Sequence, residues 1–274
     1  MAASTLLSGC ATGWQNGALP STPEVTNQTG RIIDLWNYSW IAALAVGAVT
    51  WGLMLWAVAV YRKRKNDEKL PVQSRANIPL ELMYTVVPLI MIAVLFRWTA
   101  TDIAEIKDVS QDADVHIQAI GKQWAWDFNY LDDEVYSAGV QAKLTGKPGV
   151  EETLPTLYLP VGERIDFQID SRDVIHSFWI PAFLFKQDMV PGRTTHFQVV
   201  PLQEGTYQGK CAELCGEYHS AMLFNVKVVS REEYDDYIQS LRDAGQTGSI
   251  GLEYSRQQSI DVVIGGEGSE GDEH

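Results

Sequence analysis

Basic residues are scarce. Lys and Arg number 21 against 35 Asp and Glu, a formal net charge of −14 over 274 residues. That deficit argues against a nucleic-acid partner, whose phosphates must be met by Lys and Arg. From Thr99 onward the acids outnumber the bases more than two to one. A field of this sign favours steering of a basic partner, although ordinary solubility would produce it equally well. Histidine is scarce too, with five in the chain and none inside either long apolar segment. Those segments therefore offer no imidazole to a haem. Only three cysteines are present, Cys10, Cys211 and Cys215.

Charge is absent altogether between Leu35 and Tyr61, a stretch longer than the roughly 20 apolar residues that span a bilayer. Trp36, Tyr38 and Trp40 at one end suit an interfacial aromatic belt. A second span, Ile78 to Trp98, is interrupted by Glu81, Pro88 and Arg97, and Pro88 is expected to kink it. Two buried helices of a soluble protein would fit the uncharged length of the first segment poorly. Between the spans, Arg62, Lys63, Arg64, Lys65, Lys69 and Arg75 face only Asp67 and Glu68. Short basic loops stay in the cytoplasm, which puts both termini and everything after Trp98 on the outer, periplasmic side of a bacterial plasma membrane. Leu7-Ser8-Gly9-Cys10 resembles a lipoprotein box, with Cys10 as the lipidated residue. The residues before it lack the basic start of a signal peptide, and a four-residue motif recurs by chance.

The densest chemistry lies in Cys211-Ala212-Glu213-Leu214-Cys215-Gly216-Glu217-Tyr218-His219-Ser220-Ala221-Met222. Two thiols, an imidazole and a thioether are soft or borderline donors that copper favours over hard oxygen. A further imidazole, His176, lies upstream in Asp173-Val174-Ile175-His176-Ser177-Phe178. These ligands are too many for one copper and suit two copper ions bridged by both thiolates. A disulfide between Cys211 and Cys215 or a closed Cys2His2 zinc site remain alternatives at this level, though zinc has no use for Met222.

Asp173 to Ser177, Val190-Pro191-Gly192-Arg193, and Tyr207 through Met222 together resemble subunit II of haem–copper cytochrome c oxidases. The likeness runs from about Ile32 to about Val229. It implies a dinuclear copper centre of the CuA type, with Cys211 and Cys215 as bridging thiolates and His176 and His219 as terminal imidazoles. Met222 and the backbone carbonyl of Glu213 would be weak axial ligands. The Glu213 side chain is implied to help bind a magnesium ion shared with the catalytic subunit. Trp124 resembles the exposed tryptophan through which electrons enter. The family commonly places a histidine before the glutamine and an aromatic between the two tryptophans, whereas this chain has Lys122 and Ala125; the donor surface is altered accordingly. Glu81 resembles a carboxylate at the mouth of a proton path. Its position equally suits the lipid–water boundary.

Beyond the spans the pattern is β. Asp114–Ile120, Gln123–Tyr130, Thr156–Leu159, Arg164–Ile169, Thr195–Val200 and Leu223–Val229 alternate polar and apolar residues. Short strands between Gly and Pro turns indicate a sandwich or small barrel, which the resemblance narrows. The expected fold is a two-helix transmembrane hairpin plus an all-β, cupredoxin-like Greek-key sandwich ectodomain. Its parts are an N-terminal segment 1–30, a hairpin 31–100, a copper domain 101–230, and a short helix with an acidic flexible tail 231–274. Trp126, Phe128 and Tyr130 are expected in the core. Leu131 to Pro155, rich in Gly, Pro and charge, reads as a surface loop or hairpin that either contacts a donor or neighbouring subunit or is simply solvated. Asp173, Lys186, Asp188 and Arg193 either order a contact with the haem subunit, line a water exit, or make ordinary ion pairs. His116, His196 and His274 sit in no motif. Ser230 to Glu233 forms a capping box that opens a helix Arg231–Asp243.

The function implied is acceptance of electrons from cytochrome c, or from a membrane-bound c-type cytochrome, and their delivery to haem in the catalytic subunit I. There oxygen is reduced to water and protons are pumped, so that catalysis belongs to the complex. A membrane-tethered copper carrier and a structural oxidase subunit without copper are the alternatives. A quinol oxidase subunit of similar fold would lack the copper ligands that are present here.

Overall fold

The computed structural model describes residues 17–64, 73–146 and 149–251. Cys10, the middle of the basic loop, His274 and the acidic tail beyond Gly251 lie outside the described residues. The chain divides into two compact units, Arg31–Glu105 and a second that joins the residues up to Gly30 to those from Ile106 onward.

The first unit is a pair of helices, α1 (Thr29–Val60) and α2 (Ile78–Ile106). Both are long and apolar enough to cross a membrane, and none of their most apolar window is buried by protein. A helix satisfies its own backbone, as a lipid-facing segment must. Trp36 packs edge-on to Trp40, and Tyr38 lies against Trp98 with ring centroids 5.4 Å apart, which gathers the aromatic belt at one end of the pair. There the Arg31 guanidinium meets Asp102 at 2.9 Å. Pro88 falls inside α2, which runs past Trp98 to Ile106. At the other end Asn77 Oδ1 accepts the Leu80 N–H, while Glu81 accepts the Asn77 N–H at 3.0 Å. Reciprocal bonds of this kind satisfy the orphan donors of a helix start, which gives the half-buried Glu81 a local structural role.

The second unit is a sandwich of two five-stranded sheets. Its strands are β1 (Val115–Lys122), β2 (Ala125–Tyr130), β3 (Val135–Ala138), β4 (Thr156–Pro160), β5 (Ile165–Ser171), β6 (His176–Ile180), β7 (Phe185–Met189), β8 (Thr195–Val199), β9 (Gly205–Cys211) and β10 (Leu223–Val229). The sheet orders are β3-β2-β1-β5-β8 and β4-β10-β9-β6-β7. The β1–β5 and β4–β10 pairs are parallel and the remaining pairs antiparallel. This is the cupredoxin-like sandwich expected from the sequence. The first part of the Leu131–Pro155 excursion becomes the hairpin partner β3.

Alternation along β2 sends Trp126, Phe128 and Tyr130 into the core, where all are fully buried. Trp126 meets Phe224 and Phe178 of the facing sheet at 5.0 and 5.6 Å. Phe224 takes the space over Gly209, where an added Cβ would stand 2.1 Å from the ring. Helix α3 (Arg231–Asp243) starts with Ser230 Oγ accepting the Glu233 N–H at 3.2 Å and buries Tyr234, Ile238 and Leu241. Residues 246–251 are pinned along the sheet: Tyr136 N–H donates to Gln246 O, and Asn129 exchanges two hydrogen bonds with the Ile250 backbone at 3.0 and 3.1 Å. At the other terminus Asn27 N–H donates to Val200 O and Gln28 Nε2 to Gln198 O, so the residues just before α1 pack on the sandwich.

Candidate metal centre

The site forms where three strands end. β6 begins at His176, β9 ends at Cys211 and β10 begins just after Met222. Pairing of Phe178 with Cys211 sets β6 beside β9, and Ala212 N–H donates to Ser177 O at 3.0 Å. Cys211 N–H donates to Met222 O, which closes the intervening loop at its base. Within the loop a 3-10 turn at His219–Ala221 folds the imidazole back. Gly216 has φ +125 and lies against Trp124, where a Cβ would stand 3.0 Å from the indole. Only glycine meets both demands.

The six donor groups expected from the resemblance converge. Cys211 Sγ and Cys215 Sγ are 3.8 Å apart, and no disulfide joins them. His176 Nδ1 lies 3.8 Å from Cys211 Sγ, and His219 Nδ1 lies 3.4 Å from Cys215 Sγ. The Glu213 carbonyl oxygen is 3.2 Å from Cys211 Sγ, and Met222 Sδ is 3.8 Å from Cys215 Sγ. His176 and Met222 are fully buried and both thiols nearly so, while the Glu213 side chain points to solvent.

Burial pushes the Cys215 thiol up to about 12, reinforced by the neighbouring Cys211. Burial also opposes ionisation of Cys211, but hydrogen bonding with His176 and nearby backbone outweighs it and holds that thiol below its usual value. One thiolate excludes the other until a cation sits beside both. The donor set of two thiols, two imidazoles, a thioether and a carbonyl therefore fits a soft metal.

A second layer fixes the ligands. His176 Nε2 hydrogen-bonds Asp173 Oδ1 at 2.8 Å, which leaves Nδ1 facing Cys211. Burial opposes protonation of His176, but Asp173 and Cys211 outweigh it and raise its pKa. Asp173 also accepts the backbone N–H groups of Val174 and Gln123. Despite its burial, these bonds hold its carboxyl below the usual range. Gly121 gives the imidazole room, since a Cβ there would come within 3.1 Å of its ring. The β1–β2 turn then crosses to the ligand loop. Gln123 Nε2 and Trp124 Nε1 both donate to the Cys215 carbonyl, at 2.8 and 3.2 Å.

Asp173 was expected to serve a subunit contact, a water exit or an ordinary ion pair, and the structure places it on the His176 imidazole. Lys186 and Asp188 pair with each other on β7 at 3.1 Å. Arg193 is exposed and closes a turn through its N–H to Val190 O. His116 and His196 face Asp132 and Asp166 respectively. Gln123, Gly121 and Tyr218 went unnoticed in the sequence. Nothing about their residue types marks them, and adjacency to Trp124, a strand and a ligand respectively is their only signal.

Residues 115–229 match the family described as the periplasmic domain of cytochrome c oxidase subunit II. A probable cytochrome c oxidase subunit 2 from Streptomyces avermitilis is 43% identical over 259 residues, covering 82% of this chain and 80% of the relative. Cytochrome c oxidase subunit 2 from Mycobacterium bovis is 32% identical over 306 residues, covering 94% of this chain and 84% of its own. Among solved structures, the periplasmic domain of subunit II of cytochrome oxidase from Bradyrhizobium japonicum is 31% identical, with a TM-score of 0.45, covering 49% of this chain and 97% of that one. By its identity to full-length relatives across most of its sequence, the chain belongs to the cytochrome c oxidase subunit II family.

Proposed function

We propose that this chain is the subunit of a haem–copper oxidase that receives electrons from a c-type cytochrome, with a dinuclear CuA centre held by His176, Cys211, Glu213, Cys215, His219 and Met222. The observation that carries this reading is the division of the donors into two like halves. Each sulfur has one imidazole and one weak donor close to it: His176 and the Glu213 carbonyl with Cys211, His219 and Met222 with Cys215. When bound, the copper pair supplies reversible acceptance of one electron at a time.

The chain's own residues supply the rest. Burial of the ligands keeps water from the sulfurs, and the sandwich holds them at strand ends so that little moves when charge changes. Asp173 orients His176. Trp124, half-exposed and bonded to the Cys215 carbonyl, is the point where electrons arrive. The exposed Glu213 carboxylate is free to share a magnesium ion with the haem-bearing subunit, and Glu81 stands where a proton path would open on the cytoplasmic side. The basic loop between the two apolar helices favours a cytoplasmic turn, with the sandwich on the outer side of the plasma membrane, and lipid on Cys10 would add a second tether. The domains are read as an N-terminal segment 1–30, a hairpin 31–100, a copper domain 101–230 and a tail 231–274. A copper carrier needs exposed, exchangeable ligands, which the burial of His176, Cys211, Cys215 and Met222 opposes.

Copper content and electron paramagnetic resonance of the loaded full-length chain test this reading. Two coppers per chain, with one electron shared equally between both nuclei, are expected. One copper with a localised electron would point to a carrier. No copper would leave a structural subunit.

A further inference from the structure

We propose that Tyr218 and Trp124 form a two-ring docking platform for the electron-donor protein, with Tyr218 as the ring that the donor touches beside the indole. The proposal rests on the reading of Trp124 as the point where electrons arrive, and adds a residue to it. Tyr218 stands edge-on to Trp124, ring centroids 5.0 Å apart at 72°, and is 44% exposed. Tyr218 and Leu214 are the large apolar side chains that this loop exposes, while it buries Cys211, Cys215 and Met222, and Tyr218 is in ring contact with Trp124. Its place in the chain is also specific. Tyr218 immediately precedes His219 and opens the short turn that folds this imidazole toward Cys215. A donor seated on Tyr218 would therefore rest on the same loop that holds Glu213, Cys215, His219 and Met222 of the expected ligands.

The indole beneath is fixed from the ligand side. Cys215 O accepts its N–H, and Gly216 lies against its benzene ring. Its contact with Tyr218 is a T-shaped pair, a geometry favoured by the ring quadrupoles. Transient electron-transfer encounters bury little surface. Their affinity must come from a few anchors, and Tyr and Trp are the residue types that most often supply them. The two rings form a compact apolar anchor of this kind. The exposed carboxylate of Glu217, next to Tyr218, gives this surface the sign that suits a donor with a basic rim. The occupant is thus a basic c-type cytochrome.

The test measures binding rather than turnover. The copper-free full-length chain in detergent is titrated at low ionic strength with a soluble basic c-type cytochrome, and the copper-loaded chain is checked by its paramagnetic resonance spectrum. Tyr218→Ser is expected to weaken cytochrome binding about threefold to tenfold, the range of an aromatic contact. Tyr218→Phe should stay within about twofold, and both should leave the copper spectrum unchanged. If Trp124→Phe weakens binding while Tyr218→Ser does not, the platform is Trp124 alone and this proposal fails. If neither substitution matters, the donor docks elsewhere and the underlying reading of Trp124 fails with it. If Tyr218→Ser alters the copper spectrum, or if Tyr218→Phe loses as much as Tyr218→Ser, the ring is not the docking element and the proposal is overturned.

Discussion

The indole Nε1 of Trp124 donates to the main-chain carbonyl of Cys215 at 3.2 Å, and the neighbouring Gln123 amide donates to the same oxygen at 2.8 Å. An aromatic at the edge of the sandwich is thereby tied to a residue whose sulfur sits within the donor cluster. Trp124→Phe removes one of the two bonds and the indole itself while leaving Gln123 in place. Oxidation of cytochrome c by the assembled oxidase should fall at least about tenfold, the loss expected when a positioned group is missing from a bimolecular step. Copper content should not change. Stopped-flow kinetics on the complex would check this, and an unaltered rate would remove Trp124 from the electron route.

Asp173 orients the His176 imidazole. Its carboxylate holds Nε2 at 2.8 Å and so presents Nδ1 to the site. Outer partners of this kind are worth about 10–100-fold in metal affinity. Asp173→Asn keeps the size but removes the charge, so copper should be lost to a competing chelator at concentrations roughly tenfold lower than for the parent chain. Equal retention would show that the sandwich alone orients the imidazole.

Copper uptake should strengthen as pH rises. In the metal-free chain burial and the adjacent Cys211 push the Cys215 thiol up to about 12, so at neutral pH its proton must leave before sulfur can bind. The raised pKa of His176 acts in the same direction, because an imidazolium nitrogen offers no lone pair. Chelator competition between about pH 6 and pH 8 should therefore show affinity increasing with pH and protons released on loading. A flat profile would mean that the thiols are already ionised.

The sandwich was legible where alternation was strong. β1, β2, β4, β5 and β10 all carry buried residues at every second position, and these strands and β8 were read from alternation in the sequence. Of the strands that frame the donor cluster, β10 was read in this way and β6 and β9 were not. β9 carries exposed Gly205, Thr206, Gln208 and Lys210 among its buried positions, and β6 and β7 are short, so neither gives a clear period. The donor cluster itself was legible because soft donors in that order are rare, whatever element holds them. Gln123 and Gly121 were not, since a hydrogen bond to a carbonyl and a vacancy for an imidazole are properties of the assembled sheets. The strap at 246–251 escaped for a similar reason. Its glycines and polar residues suggest flexibility, and only the partners waiting on β2 and β3 order it.

Asn129 is the residue on which that strap depends. It is almost wholly buried on β2, where its amide nitrogen donates to Ile250 O and to Gln118 Oε1 and its oxygen accepts the Ile250 N–H. Asn129→Ala would leave the Ile250 backbone and the Gln118 amide oxygen without these partners. Unsatisfied buried groups of this kind cost about 1–3 kcal/mol each, which is enough to release the strap without unfolding the aromatic core. The expected result is faster proteolysis within 244–251 and a modest fall in the unfolding midpoint of the sandwich. The copper spectrum should stay the same, because the ligands hang from β6, β9 and β10 in the other sheet. If copper binding fell along with the strap, the two sheets would be coupled more tightly than their shared apolar core requires.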